Sequence, residues 1–333
     1  MKKTALVLSL CAVGLGAVAL SVHHSGRAAG WQDDACGGAP EMVLVQGGTF
    51  TMGAGAVYPE ESPAVVTEVG SFLMSRYEVT NAEFAAFAQA TGYVTVAERP
   101  LDQKLYPEVP TDMLQPGSAV FVGDGEQRNG PGGLWQYRVG ANWRQPAGPG
   151  SSIAGRSDYP VVHIALEDAI AYAEWKGERL PTEAEFEYAS RGGLDGERYA
   201  TGRTLTKDGS YVANTWQGFF PTQNSQDDGF AGLAPVGCYG ANPYLLHDLI
   251  GNVWERTSTP YYPRHFTDRT RPANLPLRGY DPRQPNVPVG VIKGGSYLCA
   301  ENLCMRYRPA ARHAQETGLG TNHIGFRTVK SVD

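Results

Sequence analysis

Basic residues are in short supply. Lys and Arg number 28 against 34 Asp and Glu, a net charge of −6. The chain therefore lacks the basic stripe with which nucleic-acid binders hold phosphate. Charge of either sign is scarce at 19%, below the roughly 25% of an average domain. Past the N-terminus no apolar run approaches the ~20 residues that a membrane helix needs. Cysteine is rare, with only Cys11, Cys36, Cys238, Cys299 and Cys304, and no pair has the Cys-x-x-Cys spacing of thiol–disulfide exchange. No Pro- or Ser-rich linker and no internal repeat divides the 333 residues, which are enough to bury a core without disulfide support. Glycine (41) and proline (23) are plentiful. Together they fall short of the ~25–30% that marks low complexity, but they predict many turns and few long helices.

The N-terminus carries a targeting pattern. Lys2 and Lys3 precede an uncharged stretch over 4–20, and Ala17-Val18-Ala19 offers an A-x-A cleavage pattern, with Gly26-Arg27-Ala28 a weaker one. Residues 1–29 read as a cleaved signal peptide or an uncleaved anchor, and 30–40 as a tether. Either way the folded part is expected to be exported, periplasmic or secreted, and membrane-bound only if the segment stays uncleaved. Cys11 lies inside this segment. The other four cysteines then face an oxidising compartment, where a disulfide is the default reading. Spacing alone does not decide whether Cys36 and Cys238 pair.

Between about 41 and 330 the pattern is that of one irregular, loop-rich α+β domain. A first strand, Met42-Val43-Leu44-Val45, is turned by Gly47-Gly48 into Thr49-Phe50-Thr51-Met52-Gly53. Thr80 and Glu83 form a capping box ahead of Phe84, Phe87 and Ala88, and Gly92 closes that helix. A second helix places Leu166, Ala169, Ile170 and Ala173 on one face and stops at Gly177. A third starts at Pro181-Thr182, with Thr182 and Glu185 as its box, runs through Phe186 and Tyr188, and ends at Gly192.

Chemistry concentrates near the C-terminus, in Gly294-Gly295-Ser296-Tyr297-Leu298-Cys299-Ala300-Glu301-Asn302-Leu303-Cys304-Met305-Arg306-Tyr307-Arg308. Two thiols five positions apart follow a Gly-Gly turn and sit among arginines. They read either as a plain disulfide or as a functional pair, redox-active or metal-binding. Arg306 and Arg308 favour thiolate. Two thiolates with no adjacent His suit Cu(I), whereas zinc would want four ligands in a closed site.

This segment resembles the active-site signature of the formylglycine-generating enzyme family, the sulfatase-modifying oxidases. The likeness extends to Gly47-Gly48-Thr49-Phe50-Thr51-Met52-Gly53, to Trp143-Arg144-Gln145-Pro146 through Ser151, to Pro160-Val161-Val162-His163, and to the stretch from Tyr172 to Glu185. Gly251-Asn252-Val253-Trp254-Glu255 and Gly325-Phe326-Arg327 complete it. The helix motif is shared with non-oxidase relatives, and the cysteine pair separates oxidases from them. The resemblance implies a C-type-lectin-like, formylglycine-generating-enzyme fold. It also implies an oxidase that converts the cysteine of a Cys-x-Pro-x-Arg motif in an unfolded sulfatase to Cα-formylglycine, using O2 and a thiol reductant. By position, Cys299 and Cys304 match the catalytic cysteines and would hold Cu(I), with the substrate thiolate as a third sulfur. Ser296 and Trp254 match an active-site serine and tryptophan, for which pocket polarity and packing are the expected roles.

The same resemblance implies two structural Ca2+ ions. Asn214, Thr215 (backbone), Asp228 and Phe230 (backbone) match one site. Asp248, Gly251 (backbone), Val253 (backbone) and Glu255 match the other, with Asp248 standing where the family usually has Asn. Read without the family, Asp227-Asp228-Gly229 is an ordinary turn, although its oxygens suit a hard cation. Disulfides found in some members are absent at Ala189-Ser190 and Pro309, and Leu303 replaces a frequent Tyr. His163 and His247 sit beside apolar runs as structural residues, while His313 and His323 are candidates for the border of a substrate groove. No histidine cluster is expected after His23-His24, which disfavours the three-histidine iron site of the related sulfoxide synthases. The competing reading is a non-catalytic ligand-binding module on this scaffold, with Cys299–Cys304 as a plain disulfide.

Overall fold

Local sequence places the three helices. The computed structural model describes residues 36–332 except 39–40, 105, 108, 110, 112–113, 124–132, 200–201, 267–269, 271 and 273. The signal or anchor segment 1–29 and most of the tether lie outside the described residues. Helix α1 is Asn81–Thr91, α2 Leu166–Trp175 and α3 Glu183–Arg191. At α1, Glu83 N donates to Thr80 Oγ1 (3.2 Å) and Thr80 N to Glu83 Oε2 (3.0 Å). Thr182 and Glu185 repeat the arrangement at α3, so each box satisfies two otherwise unpaired donors. In α2 the capping acid is Asp168, which accepts from Ala165 N at 2.9 Å. Ile170 departs from expectation: it is exposed, and the buried stripe of α2 is Asp168, Ala169, Tyr172 and Ala173.

The described strands are short: β1 Met42–Val45, β2 Gly48–Met52, β3 Val65–Val69, β4 Phe72–Ser75, β5 Gly117–Phe121, β6 Trp135–Val139, β7 Thr206–Lys207, β8 Ser210–Tyr211, β9 Trp254–Pro260, β10 Val289–Lys293, β11 Arg312–Glu316, β12 Ile324–Gly325 and β13 Val329–Ser331. Although Gly47-Gly48 separates β1 from β2, the two strands do not pair. β1 joins the three-stranded sheet β1-β4-β13, and β2 pairs only with β3. Each strand finds its apolar partner elsewhere in the chain. The largest sheet runs β11-β10-β9-β12, antiparallel except for β9 beside β12. Two further pairs are β5-β6 and β7-β8.

Three apolar clusters bind these pieces together. Phe84 and Phe87 of α1, Tyr172 of α2, Trp143 and Phe326 form the first, with edge-on rings such as Phe84–Trp143 at 5.2 Å. Phe186 of α3 packs against Val45, Phe72, Met74 and Leu249 in the second. The third holds Trp254, Ile292, Cys299, Tyr307 and Ile324. Charge is buried between them. Glu187 of α3 takes Lys293 of β10 (3.0 Å) and Arg191 (2.7 Å), and Glu183 takes Arg312 of β11 through two bonds of 2.6 and 2.9 Å. Unpairing such a buried charge costs ~3–5 kcal/mol, so α3 is pinned to the sheet whose strand β10 leads directly into the cysteine segment.

Candidate active site

β10 ends at Lys293, and Gly294 and Gly295 turn the chain with φ of +91° and +77°. A Cβ on Gly295 would lie 2.9 Å from Tyr307 N, so glycine is what lets the segment after Cys304 return against the turn. Two successive turns then fold the cysteines together. Cys299 N donates to Ser296 O (2.9 Å) and Cys304 N to Ala300 O (2.9 Å). The sulfurs come to 2.9 Å and are not bonded. The plain disulfide of the competing reading is therefore not what the structure contains.

The pair is asymmetric. Cys299 is fully buried, and burial together with its hydrogen bond to Cys304 pushes its thiol well up. Cys304 is pulled down to about 7, first by the hydrogen bond from Cys299 and then, against burial, by the Arg306 guanidinium. Reduced, the site is a thiol at Cys299 donating to a thiolate at Cys304. Arg306 owes its place to residues that sequence reading passed over. It stacks on Tyr58 at 3.9 Å and pairs with Glu60. Tyr58 Oη accepts from Met305 N (3.1 Å), and Arg308 makes a buried pair with Glu61 (2.6 Å). The 58–61 turn is thus a clamp on the chain just past Cys304. Its only hint in the sequence was the acidic Pro59-Glu60-Glu61 run.

Trp254 lies in the apolar cluster around Cys299 and stacks on His313 at 5.9 Å. Ser296 is buried, and its Oγ accepts from Leu298 N at 3.3 Å, so it shapes the turn. An aromatic shelf of Phe121, Trp135, Trp216, Phe220 and Tyr297 packs on Leu298 and Ala300 of the same turn. Phe219 and Leu303 are exposed beside it. His323, against Trp135 at 4.7 Å, is driven down to about 3 by burial and by His313 and His163. Among the described residues no group of three His, Cys, Asp or Glu side chains is placed to hold a metal ion. His163 gives Nε2 to Pro146 O (2.8 Å) and His247 Nδ1 meets Tyr239 O (2.7 Å), which agrees with structural roles.

The residues matched to the first calcium site do come together. Asp228 accepts from Thr215 N (2.8 Å) and Phe230 N (3.1 Å). Asn214 Nδ2 is fixed between Gly232 O and Asn252 Oδ1, which leaves its buried Oδ1 without a partner. An orphaned buried oxygen fits a cation. The Gln217 amide occupies the middle of this group, donating to Asp228 Oδ2, Thr215 Oγ1 and Thr215 O. An ion here would compete with it.

The second set is close by. A Cβ on Gly251 would lie 2.3 Å from Asn214 O, and glycine at φ +82° permits that approach. Asp248 accepts from Gly237 N (2.6 Å), and Glu255 is held by Arg327 through two bonds of 2.7 Å. Both acids are buried, and burial pushes both carboxyls up. The donors are all oxygen, the chemistry of a hard cation. The Cys pair is the opposite, two soft sulfurs in apolar surroundings, and suits Cu(I) by donor type.

A loop-rich α+β domain built around two unbonded thiols is the class of protein this describes. Residues 29–332 match the family described as the sulfatase-modifying factor enzyme 1-like domain, and the chain belongs to that family. It is 48% identical over 296 residues to the formylglycine-generating enzyme of Mycobacterium tuberculosis, covering 87% of this chain and 97% of that protein. The inactive C-alpha-formylglycine-generating enzyme 2 of Mus musculus is 39% identical over 306 residues, 88% of this chain and 86% of that protein. Among solved structures, PvdO of Pseudomonas aeruginosa is similar in fold alone, with a TM-score of 0.56 at 22% identity over 88% of this chain and 95% of that one.

Proposed function

We propose that this chain is a formylglycine-generating oxidase, which converts the cysteine of a Cys-x-Pro-x-Arg motif in an unfolded sulfatase to Cα-formylglycine. The observation that carries this reading is the reduced, unbonded Cys299–Cys304 pair in a member of a family whose relatives include formylglycine-generating enzymes. The reaction balances as peptidyl thiol plus O2 plus two electrons and two protons, giving aldehyde, hydrogen sulfide and water. A thiol reductant supplies the electrons. Cu(I), held by Cys299 and Cys304, supplies the one-electron O2 chemistry when bound.

The chain's own residues do the rest. Cys304, pulled down to about 7, is roughly half thiolate at neutrality, and the proton on Cys299 is the harder one to lose before both sulfurs can act as ligands. Arg306, held by Tyr58 and Glu60, stabilises the resulting negative charge. Trp254, Ile292 and Tyr307 keep water from the sulfurs. The aromatic shelf beside the turn is a surface for an extended peptide, with proline packing on rings. The first oxygen set takes one Ca2+ and the second another, both structural. The Cys36–Cys238 disulfide suits an exported protein, which would meet the sulfatase before it folds.

The test is mass spectrometry of a Cys-x-Pro-x-Arg peptide after incubation with the chain, Cu(I), reductant and air. The thiol should be replaced by an aldehyde, and Cys304→Ala should be at least ~100-fold slower, since even outer-shell changes at metal sites cost 10–100-fold. An unchanged peptide with copper-loaded wild type overturns the assignment.

A further inference from the structure

Glu78 stands where β4 hands over to α1, outside every motif that pointed to the active site or the ion sites. It is buried at 1% exposure. Its Oε1 accepts from Asn252 Nδ2 at 3.2 Å, while its buried Oε2 has no partner. Asp248 lies within hydrogen-bond reach of it, and both Asp248 and Glu255 repel its charge. Arg327 opposes these charges, as does His247 beside Asp248, but the Arg327 guanidinium is already committed to Glu255. Three buried carboxyls thus crowd around one guanidinium, and burial with their mutual repulsion pushes Glu78 well up; a divalent cation between them would favour their ionised forms. The network reaches the other ion set as well. Asn252, which donates to Glu78, accepts from Asn214 Nδ2 at 3.1 Å, and Asn214 Oδ1 is the second orphaned oxygen of this region. A cavity of about 190 Å³ reaches Glu78 from outside, and its wall carries Glu41, Glu83, Asp158 and Glu178 against Arg76 and Lys176. That is an acidic entry path.

We propose that Glu78 is a cation-holding residue, whose free carboxylate oxygen joins Asp248 in taking the hard divalent ion of the second site. The claim deepens, and rests on, the reading of that loop as a calcium site. Oxygen donors alone, several of them backbone, suit Ca2+ better than a softer metal, and Mg2+ would keep most of its water.

The test uses the full chain stripped with EGTA. Calcium chloride is titrated by calorimetry, and thermal midpoints are read with and without calcium, for wild type and Glu78→Gln. The variant keeps the shape and an acceptor for Asn252. One calcium affinity should fall at least ~10-fold, and the calcium-dependent rise in midpoint should shrink. In EGTA the variant should melt no lower than wild type, because burial already favours the uncharged form of Glu78 when no ion is present, and the amide keeps that form's shape. A merely structural role would lower both midpoints and leave the calcium increment unchanged, and that result overturns the proposal. If wild type takes up no calcium, the calcium reading itself falls and takes the proposal with it. A wild-type crystal grown with calcium answers without any variant. The ion should lie about 2.3–2.6 Å from Glu78 Oε2, and an ion bound to Asp248 but out of reach of Glu78 refutes the assignment.

Discussion

Two thiols in one turn differ because of what each touches. Cys299 is enclosed by Trp254, Ile292 and Tyr307 and gives its hydrogen bond away, whereas Cys304 receives that bond and faces Arg306. Thiolate is the reactive form, so alkylation of Cys304 in the reduced, metal-free chain should reach half its maximal rate near pH 7. Cys299→Ala removes the first cause of the depression and should move that midpoint upward. Peptide mass spectrometry across pH measures both, and a wild-type midpoint near the ordinary 9.0 would sink the account. The cysteines themselves were legible in the sequence, because a pair among arginines after Gly-Gly is a local pattern. Tyr58 and Glu60, which aim Arg306, were not. They lie more than 240 positions away, and Arg306–Glu60 has a separation of 246.

The loops proposed to carry the ion ligands are strapped to the cysteine turn by two backbone bonds. Trp216 N donates to Cys299 O at 3.0 Å, and Tyr297 N donates to Asn252 O at 2.9 Å. Trp216 directly follows Asn214-Thr215, and Asn252 lies between Gly251 and Val253. Emptying the ion sites should therefore loosen the turn that buries Cys299. We expect EGTA to speed alkylation of Cys299 about fivefold, the equivalent of weakening one backbone hydrogen bond by ~1 kcal/mol. Equal rates with and without calcium, in a chain shown to bind it, would separate the two elements. The helices were readable because capping boxes act over one turn. The parting of β1 from β2 was not, since β1 pairs with β4 and β13, and neither partner leaves a mark near Gly47.

Across the whole molecule, one disulfide joins the start of the domain to the loops around Asp228 and Asp248. Cys36 and Cys238 are bridged over 202 positions, and the bridged turn supplies Gly237 N to Asp248 and Tyr239 Oη to Asp228 O. Loop-closure entropy for a ring of this size sets an upper value of about 5 kcal/mol, with ~2–4 kcal/mol typical. Cys36→Ser should lower the thermal midpoint by ~5–10 °C. A shift below a degree in scanning calorimetry would mean that the bridge holds only the terminal tail. Among the described residues no helix is long and apolar enough to cross a membrane.

The sequence by itself determined the α+β class, the three helices with their caps, the paired thiols and the oxygen-rich loops, because each is written in neighbours a few positions apart. It was silent on whether Cys36 meets Cys238, on Glu78, and on the clamp around Arg306. Those depend on which distant segments share a buried space, and burial decides whether a carboxylate or thiol is an ordinary surface group or an uncompensated charge. Only the tertiary structure sets that burial.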